Sequence, residues 1–295
     1  MAHSSVREAL AQAGQFLAQR GVGDGRLDAE VLLAHVLSVP RLSFYLTPEH
    51  PLTADQESFY WQLIHRRGEG EPVAYLVGEK EFFSLAFEVN RSVLIPRPET
   101  EHVVEAALQA LRKSAEGRRA PTLFDVGAGS GAIAVAVLVN LPEARGVASD
   151  VSPAALEVAR RNAQRHGVSD RLALVEGDLF GDSVGRVDVV VSNPPYVGED
   201  ERDQLPREVC DYEPPQALFG GQDGLTIIRR LIEQSPRHLS DGGHLILEIG
   251  YSKDRVVRDL LQADGRWRDL EIRSDLAGIP RVVIARVGQV GNLSR

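Results

Sequence analysis

From residue 122 onward, short apolar segments rich in Val, Ile and Leu alternate with segments of helical pattern. The segments predicted as strands are Thr122–Val126, Gly146–Asp150, Leu172–Glu176, Val187–Ser192 and His244–Ile249. The segments predicted as helices are Ala132–Val139, Pro153–His166, Leu225–Gln234 and Lys253–Gln262. Strands that are apolar along their length and separated by helices are typical of a parallel sheet with both faces covered. This pattern predicts an α/β fold.

Two further apolar segments, Asp269–Arg273 and Arg281–Arg286, have no helix between them. Because parallel neighbours need a long crossover connection, these two strands are expected to pair antiparallel at the edge of the sheet. The whole sheet would then have seven strands, most of them parallel. The polar run Lys113–Arg119, which precedes the first strand, is expected to be a solvated loop.

The first part of the chain has no such alternation. Val6–Ala18 and Leu27–Val39 have the amphipathic pattern of helices. Thr53, followed three residues later by Gln56, predicts a capping box that begins a third helix. We therefore predict a small helical domain over residues 1–76.

A β-hairpin linker is predicted over residues 77–96, where short apolar stretches carry several phenylalanines. The Pro-Arg-Pro sequence at 96–98 then ends the strand, and a helix over Glu99–Leu111 begins with proline in its first turn. The α/β domain is predicted over residues 97–295.

The loop between the first α/β strand and the next helix is rich in glycine. Its residues are Gly127, Ala128, Gly129, Ser130 and Gly131. Glycine lets the backbone turn sharply and come close to a ligand. Asp150 ends the next strand, where its carboxylate is placed to accept hydrogen bonds from ribose hydroxyls. Both S-adenosylmethionine and dinucleotides contain adenosine, so the loop alone does not separate these two ligands.

Residues farther along the chain separate them. Asp178 follows the third strand, where it is placed to meet the adenine amino group, and Leu179 and Phe180 are expected to pack on the base. The quartet after the fourth strand is Asn193, Pro194, Pro195 and Tyr196. An oxidoreductase has no use for such a quartet, so we interpret the ligand as S-adenosylmethionine.

The quartet offers the groups needed to hold a planar nitrogen. Asn193 Oδ1 and the Pro194 carbonyl can each accept one N–H, and the ring of Tyr196 provides a platform for the planar group. Such a pair of acceptors works by orientation and electrostatics, because it holds the nitrogen in line with the methyl group. An alkylated amide nitrogen loses its proton readily, so no strong general base is required.

The charge of the chain limits the class of partner. The formal net charge is −9, and neither the first 90 residues nor the remainder has an excess of Lys and Arg. Proteins that bind bare duplex nucleic acid usually carry a basic stripe, because phosphate neutralisation supplies much of their affinity. An acidic surface favours a basic partner instead. The alternative is that the surplus acidic residues only keep the protein soluble.

Membrane, disulfide and metal chemistry are not expected. The longest apolar run, Ile133–Val139, is too short to cross a bilayer, and the N-terminus lacks the apolar core of a signal peptide. Cys210 is the single cysteine, which is typical of a protein of the reducing cytoplasm. The eight histidines are scattered along the sequence, so no metal site is predicted.

Longer segments carry a family pattern in addition to the quartet. They are Leu27–Leu33, Pro72–Gly78, Glu81–Phe83, Val93–Glu101, Tyr212–Pro214, Gly220–Leu225 and Arg281–Val283. Through these segments nearly the whole chain resembles the HemK-type protein-(glutamine-N5) methyltransferases, which modify class I peptide-chain release factors. The quartet alone is shared with DNA adenine and rRNA guanine methyltransferases, whereas the Val93–Glu101 segment and the helical N-terminal part are more specific.

The resemblance implies a Rossmann-like class I methyltransferase fold. The substrate would be the glutamine of a Gly-Gly-Gln loop in a release factor, with its amide held by Asn193 and Pro194 and its slot lined by Pro195 and Tyr196. S-adenosyl-L-methionine would be held by the glycine loop, Asp150, the stretch from Asp178 to Phe180, and Asn193. The segment from Arg97 to Glu101 would close the pocket, and the helical domain would dock the release factor.

Two other functions stay open at this point. One is an amino-group methyltransferase acting on DNA adenine or rRNA guanine, which the net charge and the lack of a basic or target-recognition segment disfavour. The other is a non-catalytic S-adenosylmethionine-binding protein, which would need a defect in a site whose expected residues are all present. The chain also contains Gly220-Gly221-Gln222, a copy of the substrate motif, which we interpret as coincidental.

Overall fold

The computed structural model describes residues 4–114, 120–181 and 185–288, and the chain divides into two compact units. The first unit is Met1–Glu79 with Pro206–Tyr212, and the second is Lys80–Leu205 with Glu213–Arg295. The polar loop predicted from residue 113 lies mostly outside the described part of the chain. The predicted domain limits at residues 76 and 96 stay predictions.

Helices form the first unit. They are α1 (Val6–Gln19), α2 (Gly25–Leu37), α3 (Ser43–Leu46), α4 (Ala54–Gly68), α5 (Val73–Val77) and, later in the chain, α9 (Arg207–Tyr212). The predicted capping box is confirmed at the start of α4, where the Thr53 side chain accepts from the Gln56 N–H and the Gln56 side chain accepts from the Thr53 N–H. Arg67 links α9 into this unit, because it pairs with Asp28 at 2.7 Å and with Glu208 at 2.8 Å.

A seven-stranded sheet forms the centre of the second unit. Its strands are β3 (Thr122–Val126), β4 (Arg145–Asp150), β5 (Leu172–Glu176), β6 (Val187–Ser192), β7 (Leu239–Glu248), β8 (Trp267–Ser274) and β9 (Pro280–Val287). The order is β5-β4-β3-β6-β7-β9-β8, with β9 antiparallel to both of its neighbours and all other pairs parallel. The predicted mostly parallel sheet with an antiparallel edge is therefore confirmed. A hairpin of β1 (Glu79–Phe82) and β2 (Leu85–Glu88) precedes the sheet in the chain.

The helices of the second unit are α6 (Glu101–Ser114), α7 (Ala132–Asn140), α8 (Pro153–Arg165), α10 (Pro215–Leu218), α11 (Thr226–His238) and α12 (Asp254–Asp264). The predicted elements agree with these apart from their ends. The first turn before α6, Pro98–Thr100, is a 3₁₀ helix, and α6 continues two residues into the predicted loop. Strand β7 begins at Leu239, five residues before the predicted start at His244.

Side chains of the strands alternate between two cores. Val189 and Val191 of β6 lie in the core that contains α6 and α7, whereas Val190 lies in the core that contains α11 and α12. All three are fully buried, which explains why the strand is apolar along its length. Within the described part of the chain, no helix is both long and apolar enough to cross a membrane.

The order of the strands sets the position of the site. The chain runs outward from β3 through β4 to β5 and then returns to the other side of β3 as β6. The connections after β3 and β6 therefore leave adjacent strands in opposite directions, which opens a crevice at the carboxyl edge of the sheet. The glycine loop follows β3 and the quartet follows β6, so the fold brings these two motifs together.

Asn162, a fully buried residue of α8, joins the hairpin to the glycine loop. Its Oδ1 accepts from the Glu88 N–H at 2.8 Å. Its Nδ2 donates to the carbonyls of Glu88, at 3.0 Å, and Ser130, at 2.9 Å. A side chain without an amide would leave three backbone groups unsatisfied, each of which costs free energy when it is buried.

Asn162→Leu is therefore expected to lower the free energy of unfolding of the second unit by about 3 kcal/mol, because the new side chain fills the space but bonds to none of these groups. Urea unfolding in a Trp61→Phe background checks this prediction, since Trp267 of β8 is then the only tryptophan and is buried in the second unit.

The matched control is Asn140→Leu. Asn140 is exposed and its Nδ2 donates only to the Ala136 carbonyl of its own helix, so this change is expected to stay within about 0.5 kcal/mol of the parent protein. Equal midpoints for the two variants would contradict the role given to Asn162.

Candidate active site

A cavity opens at the carboxyl edge of the sheet. The predicted site residues in its wall are Gly127, Ala128, Gly129, Ser130, Asp150, Asp178, Leu179, Asn193, Pro194 and Pro195. Three other predicted residues, Gly131, Phe180 and Tyr196, do not line it. The wall also includes Thr100 and Pro96, from the segment that begins α6, and Pro214 from the segment before α10.

The glycine loop leaves open space at the cavity. Gly127 and Gly129 have φ angles of +78° and +53°, and a Cβ atom built on either would meet nothing within 4 Å. Because both residues line the cavity, that Cβ would enter space that a ligand can use. Gly131 does not line the cavity, and a Cβ there would lie 3.2 Å from the Ala159 Cβ, where α7 packs on α8.

Asp150 is anchored by the loop that it faces. Its Oδ2 accepts from the Gly129 N–H and its Oδ1 accepts from the Ser152 N–H, both at 2.9 Å. A carboxylate oxygen has a second acceptor position, so each can still accept from a ligand hydroxyl. This geometry fits the ribose contact predicted from the sequence.

Asp125 is the buried neighbour of this loop. Its Oδ2 accepts from the Ala134 N–H at 3.1 Å, whereas its Oδ1 has no partner among the described residues. Burial raises the pKa of this carboxyl to about 7, and the nearby charge of Asp150 adds to the increase.

The stretch predicted to hold adenine is divided between the cavity and the core. Asp178 lines the cavity, and its carboxylate forms two hydrogen bonds to Arg230, at 2.6 and 3.2 Å. Leu179 also lines the cavity, with an unusual φ of +54° for a leucine. Phe180 does not: its ring is buried and stacks on His238, with centroids 4.3 Å apart. The structure therefore places Phe180 in the core behind the cavity, and its predicted contact with the base stays a prediction.

Two acceptors of the quartet belong to residues that line the cavity. Asn193 Nδ2 donates to Thr100 Oγ1 at 3.1 Å, which leaves Oδ1 on the other side of the amide. Neither this Oδ1 nor the Pro194 carbonyl accepts a hydrogen bond from the described residues. Two acceptors on adjacent residues in one wall are the arrangement that the sequence predicts for holding a planar N–H₂ group.

Tyr196 lies behind this wall. Its hydroxyl donates to Glu248 Oε1 at 3.3 Å, and burial raises its pKa. Its ring packs under Gly250, where a Cβ would come within 2.9 Å of the Tyr196 Cδ2. The structure therefore places Tyr196 at the back of the quartet, and the predicted contact with substrate stays a prediction.

Glu248 is a residue of the site that the sequence analysis missed. It ends β7, is only 1% exposed, and accepts from Thr100 Oγ1 at 2.6 Å as well as from Tyr196. Burial raises its pKa to about 7, an increase that the two hydrogen bonds oppose. The available signal was an acidic residue directly after the apolar run from Leu245 to Leu247.

Glu213 is a second missed residue. It is 3% exposed, accepts from the Ile95 N–H at 3.1 Å and forms a charged hydrogen bond with Arg97. These two bonds fix the segment on either side of Pro96, which lines the cavity. Closure of the pocket by the Arg97–Glu101 segment would require movement of that segment, so it stays a prediction.

The copy of the substrate motif has a packing function. A Cβ at Gly220 would lie 2.3 Å from the Pro195 carbonyl oxygen, and one at Gly224 would lie 2.1 Å from that of Tyr196. The Gly220 N–H donates to the Val197 carbonyl at 2.9 Å. These glycines therefore let the loop support the backbone of the quartet.

The open backbone at Gly127 and Gly129, the anchored Asp150 and the apolar wall at Leu179 together fit S-adenosyl-L-methionine. Among the described residues there is no group of three or more His, Cys, Asp and Glu side chains placed to hold a metal ion. A parallel α/β sheet with this cavity at its switch point and two acceptors in the wall is that of a Rossmann-like methyltransferase.

Comparisons with known proteins agree. Residues 8–78 match the family described as the PrmC N-terminal domain, and residues 101–210 match the methyltransferase small domain. The release factor glutamine methyltransferase of Rhodopirellula baltica is 40% identical over 281 residues, which cover 95% of each chain. That of Moorella thermoacetica is 42% identical over 282 residues, covering 95% of this chain and 98% of the other. The chain belongs to the release factor glutamine methyltransferase family, and its methyl donor is S-adenosyl-L-methionine.

Solved structures support the fold. A methyltransferase from Pyrococcus furiosus aligns with a TM-score of 0.52 and 18% identity, over 80% of this chain and 100% of that one. The catalytic domain of hMettl16, solved with the MAT2A 3′UTR hairpin 6, aligns with a TM-score of 0.57 and 12% identity, over 81% of this chain and 84% of that one. At these identities the likeness concerns the fold alone.

Gly129→Ala is expected to weaken binding of S-adenosylmethionine at least about tenfold, because the added methyl group enters the cavity beside the ligand. Isothermal titration calorimetry measures this directly. Gly167→Ala is the matched control: Gly167 also has a positive φ, +67°, and open space around it, but it does not line the cavity. Similar losses of affinity in both variants would show that backbone strain, not filled space, is the cause.

The pH dependence of stability tests the buried carboxyl of Glu248. Its pKa is raised from an ordinary 4.5 to about 7, so between these values the folded protein holds a proton that the unfolded chain has lost. Stability from this group is therefore present below about pH 4.5 and is lost as the pH rises to 7.

The side chain of Glu248→Gln cannot titrate. The difference in free energy of unfolding, variant minus wild type, is therefore expected to rise by ~2 kcal/mol between pH 5 and pH 8. Urea unfolding at both pH values gives the two differences. A difference that does not change with pH would contradict the raised pKa.

Proposed function

We propose that this enzyme transfers a methyl group from S-adenosyl-L-methionine to the side-chain amide nitrogen, N5, of the glutamine in the Gly-Gly-Gln motif of class I peptide-chain release factors. Membership of the release factor glutamine methyltransferase family supports this proposal. The single observation that carries it to atoms is the pair of open acceptors, Asn193 Oδ1 and the Pro194 carbonyl, in the cavity wall.

The two acceptors match the two N–H bonds of a primary amide. An amide nitrogen is a poor nucleophile, because its lone pair is delocalised into the adjacent carbonyl. Asn193 and Pro194 each accept one N–H, hold the nitrogen in a fixed direction and favour its lone-pair character as the new bond forms. Pro195 contributes to the wall beside them.

When bound, S-adenosylmethionine supplies an electrophilic methyl group on a sulfonium sulfur. The residues assigned to hold it are the loop from Gly127 to Gly131, Asp150 at the ribose, and Asp178 and Leu179 at the base. The methylated nitrogen carries two protons and is very acidic, and Asn193 Oδ1 and the Pro194 carbonyl already accept both. One proton can therefore leave without a strong base.

The helical unit is assigned to docking of the release factor. Residues 8–78 of this unit match the PrmC N-terminal domain, and the net charge of −9 suits a basic protein partner better than a nucleic acid. The cytoplasm, where release factors act, is the proposed location, in agreement with a single cysteine.

Transfer of a labelled methyl group tests the substrate. The acceptors are an unmodified release factor, its Gly-Gly-Gln→Gly-Gly-Ala variant, duplex DNA and rRNA, and mass spectrometry locates the label. Label is expected on the release-factor glutamine and not on the variant. Label on nucleic acid instead would overturn the substrate and favour an amino methyltransferase that acts on adenine or guanine.

Asn193→Ala tests whether Asn193 Oδ1 and the Pro194 carbonyl hold the substrate amide, an arrangement called the amide clamp below. Transfer is expected to fall by on the order of 100-fold or more, because one acceptor of the amide is lost, while affinity for S-adenosylmethionine is largely kept. Asn140→Ala, at an exposed site on α7, is the control and is expected to transfer like the wild type. Wild-type turnover by Asn193→Ala would rule out the clamp.

A further inference from the structure

A chain of hydrogen bonds runs from the open acceptor into the core. Asn193 Nδ2 donates to Thr100 Oγ1 at 3.1 Å, and Thr100 Oγ1 donates to Glu248 Oε2 at 2.6 Å. Glu248 Oε1 accepts from the Tyr196 hydroxyl at 3.3 Å. Asn193 and Thr100 line the cavity, whereas Glu248 is 1% exposed and does not.

The direction of these bonds decides what the cavity presents to a substrate. A threonine hydroxyl has one proton, and an ionised carboxylate only accepts. Because the one hydroxyl proton of Thr100 is donated in the hydrogen bond to Glu248, the Thr100 oxygen can only accept from Asn193. The asparagine must then turn its N–H₂ toward Thr100 and its Oδ1 toward the cavity.

We propose that Thr100 and Glu248 are positioning residues, which hold the amide of Asn193 with its oxygen toward the reacting nitrogen. This inference rests on the proposed amide clamp and explains why the clamp has a single orientation. An asparagine without this constraint presents its oxygen or its N–H₂ group with little difference in shape. When the N–H₂ group of Asn193 faces the substrate, donors face the N–H bonds of the substrate amide and no hydrogen bond forms.

The same chain makes the orientation depend on the charge of Glu248. A protonated Glu248 can donate to Thr100 Oγ1, and Thr100 can then donate to Asn193 Oδ1, which reverses the asparagine. The charged groups that act on Glu248 are Glu99, which favours the protonated form, and Arg281, which favours the carboxylate. Transfer is therefore expected to decline as the pH falls through the pKa of Glu248, about 7.

The test measures kcat and KM for the release factor between pH 6 and pH 9 in the wild type, Thr100→Val and Thr100→Ser. Valine has nearly the shape of threonine but neither accepts nor donates. Thr100→Val is expected to lower kcat about tenfold, with KM changed little, because the amide of Asn193 is no longer held in one orientation. It is also expected to lose the decline at low pH, because Asn193 no longer senses Glu248.

Thr100→Ser keeps the hydroxyl and is expected to restore most of the transfer and the decline at low pH. Asp125→Asn removes the other buried carboxyl whose pKa is raised, and is expected to keep the decline. Calorimetric binding of S-adenosylmethionine shows that each variant is folded.

The outcomes separate the two proposals. A wild-type chain that transfers nothing to the release factor would overturn the proposed function. Normal transfer by the wild type together with wild-type kcat in Thr100→Val would overturn only the positioning role. A Thr100→Val enzyme that is slow but keeps the same decline at low pH would also overturn it, because Thr100 would then act by packing alone.

Discussion

The parallel pairing of β3 with β6 is the constraint on which the site depends. Phe124 and Asp125 pair with Val190 and Val191, so the two strands end side by side. Ser192 extends the contact by one residue, since its hydroxyl donates to the Val126 carbonyl at 2.7 Å. The glycine loop and the quartet therefore begin at the same level of the sheet. A shift of register by one residue would turn buried side chains to the opposite face, which both cores resist.

Much of this could be predicted from the sequence, because the signals are local. Apolar strands, glycines at a turn and a quartet after a strand each lie within a few residues, and the sheet and most of the cavity wall follow from them. Whether Phe180 faces the cavity or the core could not be predicted, because its stacking partner His238 lies far along the chain. Glu248 was missed because its partner Thr100 is 148 residues away, so only the folded chain joins them.

Two polar centres behind the cavity are kept at a cost in stability. Glu213 and Glu248 are both almost fully buried carboxyls, and each is surrounded by hydrogen-bond donors. Burial of a carboxylate is unfavourable unless such donors are present, and an apolar core would be simpler to stabilise. Glu248 lies beside the quartet, and Glu213 lies beside the segment before α6. Directional hydrogen bonds are useful at both places, because an apolar contact fixes distance but not the orientation of an amide.

The loop that supports the quartet has a consequence for sequence variation. At Gly220 and Gly224 even a methyl group would collide with the carbonyl oxygens of Pro195 and Tyr196. Neither glycine lines the cavity, yet Gly220 sets the position of the Pro195 backbone, which does, and Gly224 sets that of the next residue, Tyr196. Tolerance to substitution around the quartet therefore does not increase steadily with distance from the ligand. Some of the least replaceable positions are ones that no ligand touches, and a variant effect there would be mistaken for a folding defect.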